Sequence, residues 1–176
     1  FKEAALQTQA HTKTALHLSV AAGVRSSSIA QWLGTHRVVR AMPNTPALVG
    51  KGMTALFART GATNTDRLAV EKVIKPTGDY LWLTDESQLD AVTALSGSGP
   101  AYVFHLVEAL AAAGVAAGLP PGLSDRLARA TVEGAGELLF KVDVPPGVLR
   151  QNVTSPGGTT AAALEVLMAE NGLGPL

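Results

Sequence analysis

The chain has 176 residues, with 14 Lys and Arg against 14 Asp and Glu, no Cys, 18 Gly and 10 Pro. Zero net charge argues against a dedicated nucleic-acid or membrane-surface binder, whose phosphate contacts need a basic excess. The lack of cysteine excludes disulfides, thiolate zinc sites and a cysteine nucleophile, and no apolar run reaches the roughly 18 residues of a membrane span. With 47% apolar and 16% charged residues, the composition predicts a soluble, alanine-rich domain or domain pair.

Strands and helices alternate in the first half of the chain. Short apolar runs predict four strands, at residues 16–21, 38–42, 53–58 and 80–83. Ser26 to Ser28 offer N-cap oxygens to a short helix that Gly34 closes, and Thr65 with Asp66 is expected to cap another. This alternation predicts a parallel or mixed α/β sheet covered by helices.

After residue 86 only helical patterns follow. They lie at residues 90–95, 101–117, 124–142 and 156–170. Alanine and glycine are frequent on these helices and permit close helix approach. Such small surfaces would bury poorly in a monomer, so this half is predicted to pair with a second copy.

The strongest local motif is Val153-Thr154-Ser155-Pro156-Gly157-Gly158-Thr159-Thr160, just before a helical run. Ser155 is a good N-cap, and proline suits the first helical position. The next four amides, of residues 157–160, are then expected to have no intrahelical partner. Glycine permits close approach and the helix dipole favours an anion, which suits a small carboxylate. The alternative is an ordinary capped helix.

Two further segments could meet a ligand. Ser96-Gly97-Ser98-Gly99-Pro100 interrupts a helical pattern at a cost of roughly 1 kcal/mol for each glycine and 3 for proline; it brings backbone to a ligand or is a plain interhelical loop. Met42-Pro43-Asn44-Thr45-Pro46 ends a strand, where ligands of α/β sheets bind, or is only a rigid exit. Ala21-Ala22-Gly23 ends the preceding strand and leaves room for a flat ligand.

Other candidate sites are weak. The four histidines, His11, His17, His36 and His105, share no metal-ligand spacing, so no metal is predicted. Asp85, Glu86 and Asp90 are expected to cap and charge a helix start. No GxSxG motif or supported Ser-His-Asp order indicates a hydrolase.

Three of these motifs resemble one family. The segments 40–46, 90–102 and 153–160 have the sequences, the order and the approximate spacing seen in pyrroline-5-carboxylate reductases. Ala21-Ala22-Gly23-Val24 and residues 113–120 fit as well, so the resemblance runs from about residue 1 to residue 173.

This resemblance implies a fold and an activity. The fold is the C-terminal half of a Rossmann-type dinucleotide-binding domain (1–86) followed by a helical dimerisation and substrate-binding domain (87–176). The activity is reduction of Δ1-pyrroline-5-carboxylate to L-proline, the last step of proline biosynthesis, with hydride from NADPH or NADH. The family also implies a cytoplasmic homodimer or larger homo-oligomer.

The resemblance also assigns site residues. The substrate would be held by Ser155, Gly157, Gly158, Thr159, Thr160 and Asp143. Thr160 would be catalytic, with its hydroxyl hydrogen-bonded to the ring nitrogen as hydride reaches the adjacent carbon. The cofactor would be lined by Ala21, Ala22, Gly23, Asn44 and Asn152.

The sequence departs from the family pattern in several places. The glycine-rich phosphate fingerprint is expected before Phe1, and the final helix after Gly172 is missing, with residues 174–176 unlike its start. The chain is therefore expected to be a fragment, or partly resolved, and a poor reductase by itself. Residues 75–78 are irregular for the loop before the fourth strand.

Two alternative functions stay open. One is a non-catalytic fragment that only dimerises and binds ligand. The other is a related Rossmann-plus-helical dehydrogenase of another small acid; such enzymes use a helical lysine, and Lys141 is the only lysine of the helical half. The Ser155–Thr160 turn disfavours this second alternative.

Overall fold

A computed structural model describes residues 1–173. Its contacts divide the chain into two compact units, one of residues 1–106 and one beginning at Val107. The domain boundary expected after residue 86 stays a prediction. The departure from the family pattern at residues 174–176 lies outside the described residues.

The first unit contains a four-stranded mixed sheet, as predicted. The strands β1 (His17–Ser19), β2 (Val38–Met42), β3 (Gly52–Ala58) and β4 (Gly78–Trp82) lie in that order. The pairs β1–β2 and β3–β4 are parallel, whereas β2–β3 is antiparallel. A helix separates the strands of each parallel pair, but β2 and β3 are joined only by a short 3₁₀ helix, Thr45–Val49, which suits an antiparallel pair.

Three helices accompany this sheet: α1 (Lys2–Thr8), α2 (Ser26–Leu33) and α3 (Asn64–Ile74). Gly34 ends α2 with φ 65°, the left-handed conformation expected of a closing glycine. The predicted cap of α3 at Thr65 is wrong, because Thr63 is the N-cap. Its hydroxyl accepts from Asp66 N (3.2 Å) and the Asp66 carboxylate accepts from Thr63 N (2.8 Å), which is a capping box.

Strand β2 is the centre of the core, and all five of its residues are buried. Alternate side chains point to opposite faces of a strand. Val38 packs in the cluster of Ile29 and Leu33 from α2, whereas Val39 packs in the cluster of Leu56 and α3. The helices on each face therefore cover a strand whose residues are apolar apart from Arg40.

The elements after β4 are helical. They are α4 (Gln88–Val92), a π-helical turn (Thr93–Gly97), α5 (Gly99–Ala116), α6 (Pro121–Lys141), α7 (Pro146–Asn152) and α8 (Thr159–Leu167). Helix α7 lies outside the helical patterns predicted at 124–142 and 156–170, since two consecutive prolines, Pro145 and Pro146, favour the end of a helix. Proline at the first helical position is favourable, however, and both α6 and α7 begin with one.

The expectation that no apolar run is long enough to span a membrane needs correction. The helical stretch Gln88–Ala116 contains an 18-residue window with mean hydropathy 1.3, none of it buried within the described residues. By length and composition alone it could cross a membrane. The prediction counted 96–100 as an interruption, but the helix continues through it by a π-turn. A helix covered by a second subunit has the same composition.

Candidate functional site

Two predicted cofactor segments lie at one edge of the sheet. Residues 21–23 follow β1 and Asn44 follows β2, and the two strands are adjacent and parallel. Parallel strands present their carboxyl ends at the same edge, which is where ligands of α/β sheets bind. A β-carbon on Gly23 (φ 71°) would meet no atom of residues 1–173 within 4 Å beyond its chain neighbours. The backbone at Gly23 is therefore open to an approaching group.

The side chain of Asn44 is held by protein groups at both ends. Its Oδ1 accepts from Met53 N at 2.9 Å. Its Nδ2 donates to the carbonyl oxygen of Ser96 at 3.2 Å and to Ser96 Oγ at 3.3 Å. The structure thus joins two motifs that the sequence analysis treated separately.

Two open surface pockets have Asn44 in their lining. One of about 340 Å³ is lined by Asn44, Pro46, Leu95, Pro100, Val103 and Phe104, among others. Another of about 340 Å³ is lined by Pro43, Asn44, Thr45, Ala47, Leu48 and Gly97. Mostly apolar linings with a few polar groups are typical of small-molecule sites.

Sequence reasoning missed the group that caps α2. The predicted cap at Ser26, Ser27 or Ser28 is wrong, because all three lie inside the helix and Arg25 is the N-cap. The Glu86 carboxylate accepts from both Ser26 N and Ser26 Oγ at 2.6 Å. These partners are 60 residues apart. Burial alone would raise the pKa of Glu86, but the hydrogen bonds from Ser26 and the guanidinium of Arg40 outweigh it and lower the pKa.

One feature of the sequence indicates that a buried carboxylate is needed here. Arg40 stands in an otherwise apolar strand and is only 4% exposed, and arginine is rarely buried without a charged partner. Its Nη1 lies 2.8 Å from Glu86 Oε1. Arg59 joins the same cluster by donating to Ser26 Oγ at 3.2 Å. The cluster ties the helix that follows residues 21–23 to β2 and to residue 86.

The turn before α8 differs in detail from the prediction. The N-cap is Gly158, not Ser155, and the helix begins at Thr159. Gly158 N donates to Ser155 O at 3.1 Å, and Gly157 has φ 71°. Proline followed by a glycine of positive φ suits a type II turn, which keeps residues 155–158 out of the helix.

The free amides shift accordingly. The first intrahelical bond of α8 runs from Ala162 N to Gly158 O at 3.2 Å. The amides of Thr159, Thr160 and Ala161 therefore have no intrahelical partner. The amides of residues 157–160 were expected to be free. This was wrong for Gly158, whose amide donates to Ser155 O and closes the turn.

The other predicted site residues lie in the second unit as well. Asp143 is exposed between α6 and α7, and Asn152 is the exposed last residue of α7. Thr154, two residues after Asn152, donates from its hydroxyl to Arg150 O at 2.7 Å and so fixes the chain before Ser155. The structure brings residues 21–23 and Asn44 to one sheet edge in the first unit, and it describes Asp143, Asn152 and 155–160 in the other.

The sequence is similar to curated relatives from plants and bacteria. A family model described as pyrroline-5-carboxylate reductase dimerisation matches residues 86–174. Pyrroline-5-carboxylate reductase of Arabidopsis thaliana is 47% identical over 156 residues, which are 89% of this chain and 56% of the relative. That of Pseudomonas aeruginosa is 44% identical over 155 residues, 88% of this chain and 57% of the relative. The chain thus spans just over half the length of these relatives.

Solved structures agree with the sequences. A pyrroline-5-carboxylate reductase from Coxiella burnetii has a TM-score of 0.88 and 38% identity, covering 97% of this chain and 64% of that one. The crystal structure of Plasmodium falciparum pyrroline carboxylate reductase with NADP bound has a TM-score of 0.86 and 33% identity, covering 95% and 67%. The likeness confirms the Rossmann-type half followed by a helical domain, and the chain belongs to the pyrroline-5-carboxylate reductase family.

Proposed function

We propose that this chain serves the reduction of Δ1-pyrroline-5-carboxylate to L-proline, the last step of proline biosynthesis, in the cytoplasm. The observation that carries the proposal is the turn 155–158 with the open helix start behind it, within a segment that matches the family model. NADPH or NADH supplies the hydride when bound. The relative from Plasmodium falciparum was solved with NADP bound, and the open edge at residues 21–23 suits such a cofactor.

The start of α8 is where the substrate carboxylate would bind. Three amides, of Thr159, Thr160 and Ala161, are left for a ligand, and the helix dipole favours a negative charge at this end. A β-carbon on Gly157 would meet no atom of the described residues within 4 Å beyond its neighbours, so the turn leaves room for the ligand. Ser155 and Asp143 are proposed to contact the substrate from the flanking segments.

Thr160 would act on the reacting imine. Reduction of the imine adds a hydride to carbon and a proton to nitrogen, and the proton arrives either before the hydride, as the iminium, or together with it. The Thr160 hydroxyl donates a hydrogen bond to the imine nitrogen while the first-turn amides fix the carboxylate, so the reacting carbon is oriented without a covalent intermediate. Asn152 is proposed to line the cofactor beside this site.

A second copy of the chain is the proposed partner. Several large apolar side chains on α5 and α6 are substantially exposed: Leu110, Val115, Leu123, Leu127, Leu138 and Leu139. An apolar surface of this extent on two helices indicates a protein interface. A homodimer or larger homo-oligomer would cover it, which also accounts for the apolar stretch Gln88–Ala116.

Imine-dependent oxidation of NADPH by the purified protein tests the proposal. Thr160→Ala should lower kcat by about 10²-fold or more, as loss of a positioned proton donor does, with little change in the unfolding midpoint. Thr65→Ala, exposed on α3, is the matched control and should leave kcat unchanged.

Two results would contradict this function. An unchanged kcat/KM in Thr160→Ala removes the role of that hydroxyl. Binding of L-proline without any turnover by the unaltered protein would favour the alternative of a dimerising, ligand-binding module.

A further inference from the structure

The hydrogen bond from Asn44 to Ser96 takes the place of one that Pro100 cannot form. In a regular helix the carbonyl of Ser96 would accept from the amide of residue 100, four residues later. Proline has no N–H. The next amide, of Ala101, donates to Ser98 O at 2.9 Å. A helical path through this segment therefore leaves the half-buried Ser96 carbonyl in need of a donor from elsewhere.

Asn44 provides that donor from 52 residues away in the sequence. Its Nδ2 lies 3.2 Å from Ser96 O, while its Oδ1 accepts from Met53 N at the start of β3 (2.9 Å). The same side chain thus bonds to the π-turn and to the sheet. Both halves of its carboxamide are engaged, so neither is directed at a ligand.

The π-turn also packs on the end of β2. A β-carbon on Gly97 would lie 3.8 Å from Met42 Sδ, an ordinary packing distance. Ser98 N donates to Thr93 O at 2.9 Å, the bond to the fifth preceding residue that defines the turn. Such π-turns within α-helices are frequent at functional sites. The segment that contains Ser96 and Gly97 is therefore not a plain interhelical loop but a π-turn packed against the end of β2.

We propose that Asn44 is a positioning residue whose carboxamide replaces the missing amide of Pro100 and so holds the turn after β2 against the π-turn. The consequence for catalysis rests on the proposed function. Residues 43–44 follow β2 at the edge where residues 21–23 follow β1, so the contact fixes one side of the cofactor edge. Asn44 then shapes the cofactor site without touching the cofactor through its side chain.

A double-mutant cycle on stability tests the contact. Asn44→Ala leaves the Ser96 carbonyl unpaired and should lower the folded-to-unfolded ratio about 5- to 30-fold. In the P100A background the restored amide of residue 100 can donate to the Ser96 carbonyl. There Asn44→Ala should lower the folded-to-unfolded ratio by less than about threefold. Urea unfolding followed by tryptophan fluorescence reports this, because Trp32 and Trp82 both lie in the first unit.

The matched control is Pro121→Ala. Pro121 also lies in the first turn of a helix, α6, so its replacement changes the entropy of the unfolded chain in the same way. It should leave the cost of Asn44→Ala unchanged. An equal cost of Asn44→Ala in the P100A and unaltered backgrounds would overturn the proposed contact.

Cofactor binding tests the positioning role. Asn44→Ala should raise the Kd for NADP⁺ and the KM for NADPH about tenfold, and should lower kcat by a smaller factor; adding Pro100→Ala should restore most of the affinity. If Pro100→Ala restores stability but not affinity, Asn44 contacts the cofactor directly and the positioning role is overturned. An unchanged Kd for NADP⁺ in Asn44→Ala would also overturn the positioning role. If the unaltered protein binds no NADP⁺ and reduces no imine, the proposed function and the positioning role both fail, while the unfolding cycle still decides the contact.

Discussion

The α/β unit and the helical unit differ in where their apolar side chains are covered. In the first, Ile29, Val38, Val39 and Leu56 are fully buried by the chain itself. Among residues 107–173 only Ser124 and Ala128 are buried, and large side chains such as Leu139 stay about half exposed. The sheet therefore builds a core within one chain, whereas the helices present apolar surface that a partner would complete. Truncating a buried side chain should therefore destabilise the first unit by leaving a cavity. Truncating an exposed apolar side chain of the second unit should instead weaken association between two copies of the chain.

The largest expected effect sharpens this contrast. Leu56→Ala, at the centre of the sheet, should destabilise the first unit by about 2–5 kcal/mol, because it removes a fully buried side chain and leaves a cavity. Leu139→Ala should change the unfolding of a dilute monomer little but should weaken self-association. Urea titration and sedimentation over a concentration series measure the two effects. If Leu56→Ala and Leu139→Ala lowered the stability of the monomer equally, the contrast between the two units would be wrong.

The next effect concerns a close, buried contact between α5 and α6. A β-carbon on Gly114 would lie 2.1 Å from Ser124 Oγ, which donates to Ala111 O at 2.7 Å. Gly114→Ala should therefore destabilise the helical unit by about 1–3 kcal/mol through overpacking, despite the higher helix propensity of alanine.

Helical circular dichroism during thermal unfolding measures this change. The control is Gly136→Ala on α6, where a β-carbon would meet no atom of the described residues within 4 Å outside its own stretch of helix. It should be neutral or stabilising. If Gly136→Ala destabilised the protein and Gly114→Ala did not, the packing of α5 against α6 would not determine the stability of the helical unit.

The smallest effect is a pH dependence confined to the first unit. The Arg37 hydrogen bond and ion pair (2.5 Å) and the bonds from Thr63 hold the pKa of Asp66 well below its usual range. Because the folded pKa lies below the unfolded value of about 3.9, the carboxylate stabilises the fold at neutral pH. This contribution is lost as pH falls through the unfolded value toward the folded one.

Asp66→Asn removes that titration. Its urea midpoint should be lower at neutral pH and should vary less between about pH 5 and pH 2 than that of the unaltered protein. Asp125→Asn, on an exposed part of α6, should leave the tryptophan-detected midpoint and its pH slope unchanged. Parallel pH profiles for Asp66→Asn and the unaltered protein would refute the assignment.

Local chemistry made several elements predictable. The bounds of β2 were predicted to the residue, since an apolar run ends there at a proline, and Gly34 closes α2 as expected. The turn before α8 was located correctly, but its cap was placed three residues early. The sequence Pro-Gly-Gly is compatible both with a helix start at proline and with a type II turn, and the φ of Gly157 decides between them.

The sequence by itself determined the class of most segments and, through three motifs, the family. Hydrophobic period, capping residues and proline act over a few residues, so they can be read from neighbours alone. Only the tertiary structure decided that Glu86 caps α2 and that Asn44 replaces the amide of Pro100, because these partners lie 60 and 52 residues apart. In both cases a buried polar group lacks a local partner, and folding supplies one from a distant segment.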